Sequence, residues 1–367
     1  MLKSSRPMAL LLFSIFLSIA AAAYPHLPAV NPNKIMVGVD ILNYVEAAEI
    51  VDRDISQAFK VSSGYRPIIF LVIYGFQRLL GSDVSTAVKF LPVMLNPLMI
   101  MTAFFLAHEA FNDGWIASWA AFFTACGYQV TVGMFSYFLT NMLALSLAFL
   151  SLGFLFRFLR RFGKIDLVLS SILGFLLFFT HPWTFYQYLP AMFLTIAISW
   201  YRNRDKFPIV TTMFLCVLSL LLVGIFEVLN FRGFRFFPVF SFVLSFSEDL
   251  SGFWAGNTFI FRLLFGGLLS YMILLSLALI GIYLMDRKNI NELYLTVFLA
   301  LTSLFFLIGN YTLKSRLFYN VPIGLFASLG FNSIIRLNIS EDFKRMLITF
   351  VILIFTVYLF RSLANLV

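Results

Sequence analysis

Runs of about twenty apolar residues recur from Met8 to the C-terminus, and each is long enough to cross the ~30 Å hydrocarbon core of a bilayer. Of the 367 residues, 61% are hydrophobic and only 12% are charged. An average soluble protein has roughly 25% charged residues and could not bury so many apolar helices. The sequence therefore predicts an all-α, polytopic integral membrane protein.

The formal net charge of +9 does not indicate a nucleic-acid-binding protein. The 26 Lys and Arg residues are dispersed between the apolar runs, and no basic face is interleaved with base-stacking aromatic residues. The 47 Phe residues lie within the apolar runs, where lipid contact and helix packing account for them. Both cysteines, Cys126 and Cys216, fall within predicted spans, which excludes a disulfide framework.

The first apolar run, Met8 to Ala23, follows Lys3 and Arg6 and predicts a membrane span whose N-terminus lies in the cytoplasm. A cleaved signal peptide also fits this run, although a retained helix is favoured. Both interpretations place Tyr24 on the extracytoplasmic side.

The segment Pro67 to Leu80 decides the topology of the rest of the chain. It has only fourteen residues and carries Gln77 and Arg78, so it is short for a span and typical of an interfacial helix. If it stays at the outer surface, four later basic clusters fall in the cytoplasm, as the positive-inside rule requires. These clusters are Arg157, Arg160, Arg161 and Lys164; Arg202, Arg204 and Lys206; Arg287 and Lys288; and Arg336, Lys344 and Arg345.

With that segment outside, residues 1–367 are predicted to form one membrane domain with about eleven spans. Among them are Trp115 to about Thr131, which follows a tight Asn112-Asp113-Gly114 turn, Pro208 to about Leu229, and about Leu317 to Ile335. We find no linker, soluble domain or internal repeat in the sequence. Two long outer loops are predicted, residues 24–88 with interfacial helices and residues 230–257.

An acidic residue opens the amphipathic part of the first outer loop. Asp40 follows a Gly-Val dipeptide, and if Val39 to Ile50 is helical, Asp40 and Tyr44 share one face while Glu46 follows on the same segment. Asp is also a preferred N-cap residue, so position alone does not separate a catalytic carboxylate from a capping one. Both interpretations stay open.

Basic residues on the predicted outer side run against the usual charge bias and indicate an anionic ligand, because the guanidinium fork matches phosphate. Snorkelling to lipid headgroups better explains most single arginines, but for Arg316, close to Lys314, a ligand contact is favoured. The set comprises Arg66, Arg78, Arg232, Arg235, Arg262, Lys314 and Arg316.

A histidine and an acidic pair on the predicted outer side can each be interpreted in two ways. His181 lies at a His-Pro corner between two predicted spans, where it is either a cap or a phosphate or metal ligand. Glu248 and Asp249 precede Phe253 and Trp254, a combination that fits an interfacial anchor or a carbohydrate-contacting loop.

Three short motifs resemble those of the GT-C superfamily, polytopic glycosyltransferases that use sugars carried on polyprenyl phosphates. The first is Gly38-Val39-Asp40 through Glu46, similar to the first-loop signature of the family. The second is Arg66-Pro67 through Gly81, and the third is Ser315 through Pro322, similar to the late Arg…Tyr…Pro motif. The Thr-His-Pro-Trp corner around His181 is similar to archaeal-type members.

The resemblance implies an enzyme of the cell membrane that moves a sugar from a polyprenyl-phosphate donor to a lipid, glycan or protein acceptor at the extracytoplasmic face. It implies that Asp40 is the catalytic base or a metal-binding carboxylate and that Arg316 meets the lipid phosphate. The substrate contacts to be expected are Tyr44, Glu46, Arg66, His181, Glu248, Asp249, Lys314, Arg316 and Tyr319.

Two departures qualify the resemblance. Many members carry an acidic residue where this chain has Asn141, which leaves open whether a divalent metal takes part. No large soluble C-terminal domain follows the spans, unlike in oligosaccharyltransferase catalytic subunits, which favours the smaller protein mannosyltransferase and lipid A aminoarabinose transferase type.

The main alternative to an enzyme is a transporter or lipid flippase. Such a protein places functional polar groups near mid-membrane, often with inverted repeats and broken helices. Here the polar groups concentrate in the predicted outer loops, which favours chemistry at the membrane surface. A non-catalytic membrane subunit is also compatible with the sequence.

Overall fold

A computed structural model describes residues 5–33, 35–61, 66–161, 163–203, 254–255, 258, 269–304 and 311–364. Every regular element in these ranges is helical, which confirms the all-α prediction. Four helices in the described ranges are long and apolar enough to cross a membrane: Pro7–His26, Val84–Phe111, Leu139–Arg161 and Glu341–Ala364. The count of about eleven spans stays a prediction. The predicted span 208–229 and almost all of the predicted loop 230–257, with Glu248 and Asp249, lie outside the described residues.

The helices form one bundle in which helices far apart in the sequence pack on each other as extensively as neighbours do. α1 packs on α5 and α6, α8 packs on α5 and α9, and α11 packs on α14. The helices are α1 (Ser5–Ala23), α2 (Ile41–Arg53), α3 (Pro67–Leu80), α4 (Val84–Phe90), α5 (Pro92–Phe111), α6 (Gly114–Ala125), α7 (Tyr128–Ser136), α8 (Leu139–Arg161), α9 (Lys164–Thr180), α10 (Pro182–Asn203), α11 (Leu269–Leu284), α12 (Ile290–Leu304), α13 (Tyr311–Tyr319), α14 (Ile323–Ile335) and α15 (Glu341–Ala364).

The turn between α5 and α6 shows how local sequence ends one helix and begins the next. Asn112 takes the left-handed conformation at φ 51°, which ends α5. Asp113 then accepts hydrogen bonds from the backbone N–H groups of Trp115 and Ile116, at 2.8 and 3.2 Å, and so caps α6.

Two helices predicted to be continuous are interrupted. The prediction of one span from Trp115 to about Thr131 is wrong, because the chain breaks between α6 and α7 at Gly127. A Cβ at this glycine would lie 2.5 Å from the carbonyl oxygen of Phe123, so the break depends on glycine. The predicted span Leu317 to Ile335 is also broken, since α13 ends at Tyr319 and Pro322 has no N–H with which to continue a helix.

One end of the bundle is held by ion pairs, and we call it the paired end. Arg157 lies 2.9 Å from Asp166, across the turn between α8 and α9. Two further ion pairs there are Arg160–Glu109 and Arg336–Asp113. The start of α1 lies at this end too, because the Ser118 hydroxyl donates to the backbone carbonyl of Pro7 at 2.7 Å.

The opposite end, which we call the site end, is organised around Tyr137, the residue after α7. The ring of Tyr137 packs against Gly38, where a Cβ would lie 2.5 Å from its Cδ2 atom. Its hydroxyl contacts the carbonyl oxygens of Val88 and Lys89 at 2.7 and 3.1 Å. Residues 38–89 thus leave and return to the same end of the bundle, so α3 does not cross it.

Candidate active site

Asp40 is held in place through its backbone. Gly38 adopts φ 115°, a conformation that favours glycine. The N–H groups of Val39 and Asp40 donate to the carbonyl oxygens of Phe135 and Ser136, at the end of α7, at 3.0 and 3.3 Å. The segment that carries Asp40 is therefore fastened to the bundle directly before this residue.

The side chain of Asp40 does not cap α2, although the residue stands at the N-cap position. It makes no capping hydrogen bond and is half-buried. Asp54, Asp83 and Asp113 occupy the same position on other helices, and each of their carboxylates accepts a capping backbone N–H. Asp40 thus differs from these counterparts because its carboxylate forms no capping hydrogen bond with the helix that it begins.

Tyr44 joins α2 to the start of α8. Its buried hydroxyl lies 2.6 Å from Oγ1 of Thr140 and accepts the Thr140 N–H at 3.3 Å. Asn141, the next residue, is 2% exposed, and its Nδ2 has no hydrogen-bond partner in the described structure. A buried amide therefore stands beside the Tyr44 contact.

Arg66 and Arg316 are half-buried, and Arg316 interacts electrostatically with Arg66, Tyr44 and Asp40. Burial lowers the pKa of the Arg316 guanidinium below its ordinary value, and Arg66 lowers it further, whereas Tyr44 and Asp40 raise it. Among the described residues, neither arginine forms an ion pair, in contrast to Arg157, Arg160 and Arg336 at the paired end.

His181 lies at the corner between α9 and α10 and is fully buried. Its Nδ1 lies 2.7 Å from Oγ1 of Thr184, and its Nε2 has no hydrogen-bond partner within the described ranges. Burial, and then the charges of Arg66 and Arg316, lower the pKa of His181 well below its ordinary value. The imidazole is therefore neutral at neutral pH.

Polar residues of α7 hold the link between α13 and α14, next to Arg316. The Tyr128 hydroxyl lies 2.8 and 2.5 Å from the carbonyl oxygens of Phe318 and Val321. The Gln129 amide donates to Val321 at 2.8 Å, and the Tyr319 hydroxyl donates to the carbonyl of Gln129 at 2.6 Å. The arginine is thus carried on a backbone with little freedom to move.

Comparison with known proteins rests on structure alone. No family model matches the sequence, and no curated protein matches it by sequence. The crystal structure of the apo oligosaccharyltransferase of Archaeoglobus fulgidus superposes with a TM-score of 0.68 and 12% identity, over 99% of this chain and 56% of that one. This chain shares the fold of the superposed part of that protein, as its resemblance to the GT-C superfamily implied.

Two complexes of the archaeal oligosaccharyltransferase match equally well. AglB of A. fulgidus, with an inhibitory peptide and a dolichol-phosphate, gives a TM-score of 0.66 at 12% identity, over 99% of this chain and 56% of that one. The oligosaccharyltransferase tethered to an acceptor peptide with the NVT sequon gives 0.66 at 13% identity, over 99% and 55%. The chain spans little more than half the length of these proteins, and at this identity the likeness establishes the fold.

Of the ten residues singled out in the sequence, five come together at the site end, three have other surroundings and two are not described. The five at the site end are Asp40, Tyr44, Arg66, His181 and Arg316. Glu46 is exposed on α2 and makes no hydrogen bond or ion pair among the described residues. Tyr319 is fully buried with its hydroxyl bound to Gln129, and Lys314 is fully buried in α13. Glu248 and Asp249 lie outside the described residues.

Sequence reasoning missed the polar residues behind His181, namely Thr184, Gln187 and Asn320. Thr184 follows His181 by three residues on a helix, a spacing that brings two side chains together. Gln187 lies one turn further on, inside an apolar helix, where an amide needs buried partners. Asn320 gives no local signal, since its contacts span more than a hundred residues of sequence.

The described residues do not fit a divalent metal. No group of three His, Cys, Asp or Glu side chains comes together in the described ranges. Asn141 has an amide where the resemblance implies a carboxylate, and Arg316, which interacts with Asp40, repels a cation there. We therefore derive no step through a metal.

Proposed function

We propose that this chain is a membrane glycosyltransferase that takes a sugar from a lipid-phosphate-linked donor and transfers it to an acceptor. The observation that carries the proposal is a carboxylate that caps nothing, Asp40, near two half-buried arginines without ion pairs in the described structure. Charged groups that form no ion pair at a partly buried site are stabilised when a ligand of opposite charge binds there.

In the proposed reaction Asp40 acts as general base. It takes the proton of the acceptor nucleophile as this atom attacks the anomeric carbon of the sugar. The bond between that carbon and the phosphate oxygen breaks, and the phosphate leaves with the electron pair. Arg316 and Arg66 stabilise the charge that develops on the leaving oxygen, in a setting where burial strengthens the interaction.

The fold supports the choice of a lipid-linked donor. AglB, which superposes on this chain, has been seen with a dolichol-phosphate, and the same archaeal oligosaccharyltransferase has been seen tethered to an acceptor peptide. A site at one end of an apolar helical bundle lets a donor reach it from the bilayer while an acceptor arrives from water. A polyprenyl phosphate donor and a glycan, lipid or protein acceptor fit this arrangement.

We place the site end on the extracytoplasmic side, because the basic clusters of the paired end satisfy the positive-inside rule in the cytoplasm. Lys60 and Lys164 are both exposed, one in the first outer loop and the other at the start of α9. Cysteines substituted at these two positions should react with an impermeant reagent from opposite sides of the membrane. Labelling of both from the same side would contradict the assignment.

The activity itself is tested with purified protein in liposomes that contain polyprenyl phosphates carrying a labelled sugar. Release of free polyprenyl phosphate together with transfer of label to a peptide, glycan or lipid acceptor is the expected result. Movement of the intact donor between leaflets without cleavage of the sugar–phosphate bond would instead support a flippase.

A further inference from the structure

A chain of buried hydrogen bonds leads from a backbone carbonyl to His181, and its first link is unambiguous. The carbonyl oxygen of Leu317 can only accept, so the Gln187 amide atom 3.1 Å from it is the nitrogen, Nε2. This nitrogen also donates to Oγ1 of Thr302 at 2.6 Å. The Thr302 hydroxyl in turn donates a hydrogen bond to the carbonyl oxygen of Phe298. The other amide atom of Gln187 is therefore the oxygen, an acceptor.

The second link follows from the first. The Asn320 side-chain atom 3.0 Å from the Gln187 oxygen has to be a donor, so it is Nδ2. The same nitrogen lies 2.9 Å from Oγ1 of Thr184, to which it donates its second hydrogen. The Thr184 hydroxyl thus accepts a hydrogen bond from Asn320, and its own hydrogen still needs an acceptor.

The third link decides where His181 carries its proton. Thr184 is 2% exposed, and the one acceptor for its hydrogen in the described structure is Nδ1 of His181, at 2.7 Å. A proton on Nδ1 would instead leave the hydroxyl hydrogen buried without an acceptor, which folded proteins avoid. Because a neutral imidazole has a single N–H, the proton lies on Nε2.

We infer that Thr184, Gln187 and Asn320 are positioning residues that hold His181 as the Nε2–H tautomer, ready to donate a hydrogen bond to an anionic oxygen of the donor phosphate. The identity of the ligand rests on the proposed function, whereas the tautomer does not. Nε2 is buried and has no other hydrogen-bond partner among the described residues, and Arg66 and Arg316 act on the ring electrostatically.

A neutral donor suits this position better than a third cation would. Two arginines already supply positive charge, and a protonated imidazole beside them would be repelled. The neutral N–H adds a directed hydrogen bond to the anion without that repulsion. Because Gln187 also binds the carbonyl of Leu317, next to Arg316, the same chain sets the position of the arginine relative to His181.

The tautomer is tested by nitrogen NMR of the 367-residue chain in nanodiscs with isotopically labelled histidine, since this sequence has only 3 His. The wild-type protein and Thr184→Ser should show a neutral His181 with its proton on Nε2. Thr184→Val, which has nearly the same shape but no hydroxyl, should lose that fixed signature. A wild-type signal from Nδ1–H, or from a doubly protonated ring at neutral pH, would overturn the inference. This measurement does not depend on sugar transfer.

The phosphate contact is tested by binding of polyprenyl monophosphate to two variants in nanodiscs. The amide nitrogen of Gln in His181→Gln reaches about as far as Nε2, whereas that of Asn in His181→Asn reaches only as far as Nδ1. We expect binding within about threefold of wild type for Gln and weakening of roughly tenfold or more for Asn, the effect of a lost hydrogen bond to a charged group. Equal binding by both variants would overturn the contact. A wild-type protein that binds no polyprenyl phosphate would instead refute the proposed function, and the NMR result would still decide the tautomer.

Discussion

At the paired end of the bundle three arginines each lie against a carboxylate, whereas at the site end two arginines and Asp40 form no ion pair within the described residues. The pairs at the first end connect neighbouring helices, as in Arg157–Asp166 between α8 and α9. At the second end the arginines are half-buried, and the nearby carboxylate interacts with Arg316 only at longer range.

This difference separates structural charges from charges that serve a ligand. A paired and hydrogen-bonded arginine at a helix end contributes to stability and has little capacity left for a substrate. A partly buried arginine without a counter-ion costs stability in the empty protein, because desolvation is not offset. An arginine of this kind is kept where a bound anion offsets the cost. Substitutions at the site end should therefore change donor use, whereas those at the paired end should change only stability.

The largest effect is expected for Asp40→Asn. Loss of a general base should lower sugar transfer by about 10²–10⁴-fold, because an amide does not take up the acceptor proton. Asn is about as good an N-cap as Asp, so any capping role would survive and thermal stability should not change. Transfer is measured with labelled sugar on polyprenyl phosphate, and near-normal transfer by a stable variant would exclude Asp40 as the base.

A matched pair of arginines tests the comparison between the two ends. Arg316→Gln should weaken donor use by roughly 10–100-fold, the effect of a lost hydrogen bond to a charged group. Arg316→Lys should recover only part of this, because a single ammonium does not replace the planar fork. Arg336→Gln removes the pair with Asp113, in which the arginine side chain is 63% exposed, and should cost less than about 1 kcal/mol of stability with donor use intact. Equal loss of donor use at both ends would break the comparison.

The smallest effect is expected for the glycine that positions Asp40. Gly38→Ala should destabilise the fold by about 1–3 kcal/mol, because its Cβ would lie 2.5 Å from the Tyr137 ring at a φ of 115°. Gly75→Ala is the control, since no atom lies within 4 Å of its Cβ, and it should stabilise α3 by up to about 1 kcal/mol. Thermal unfolding compares the two, and an unchanged midpoint in Gly38→Ala would show that Tyr137 does not hold the loop.

Much of the fold was predictable because apolar length and the distribution of charge are local properties of the sequence. The apolar runs predicted the all-α bundle, and the Asn112-Asp113-Gly114 sequence predicted a tight turn that the structure confirms. The breaks at Gly127 and Pro322 were missed, because hydropathy continues across both residues while the backbone does not.

The site was predictable only in part. Asp40, Arg66 and Arg316 stood out because charges are conspicuous among apolar residues. The hydrogen bonds that orient His181 could not be foreseen, because Asn320 and Thr184 meet only after α10 and α13 have packed together. That Asp40 does not cap α2 also required coordinates, since sequence gives the position of a residue but not the direction of its side chain.

The most direct test of this account is an experimental structure of the protein in nanodiscs with polyprenyl monophosphate. The account predicts that the phosphate binds at the site end, with its oxygens within hydrogen-bond distance, about 3 Å, of Arg316 and Arg66. It also predicts that Nε2 of His181 donates a hydrogen bond to the phosphate and that the Asp40 carboxylate lies beside the bound phosphate. Phosphate density elsewhere, with no contact to these residues, would contradict it.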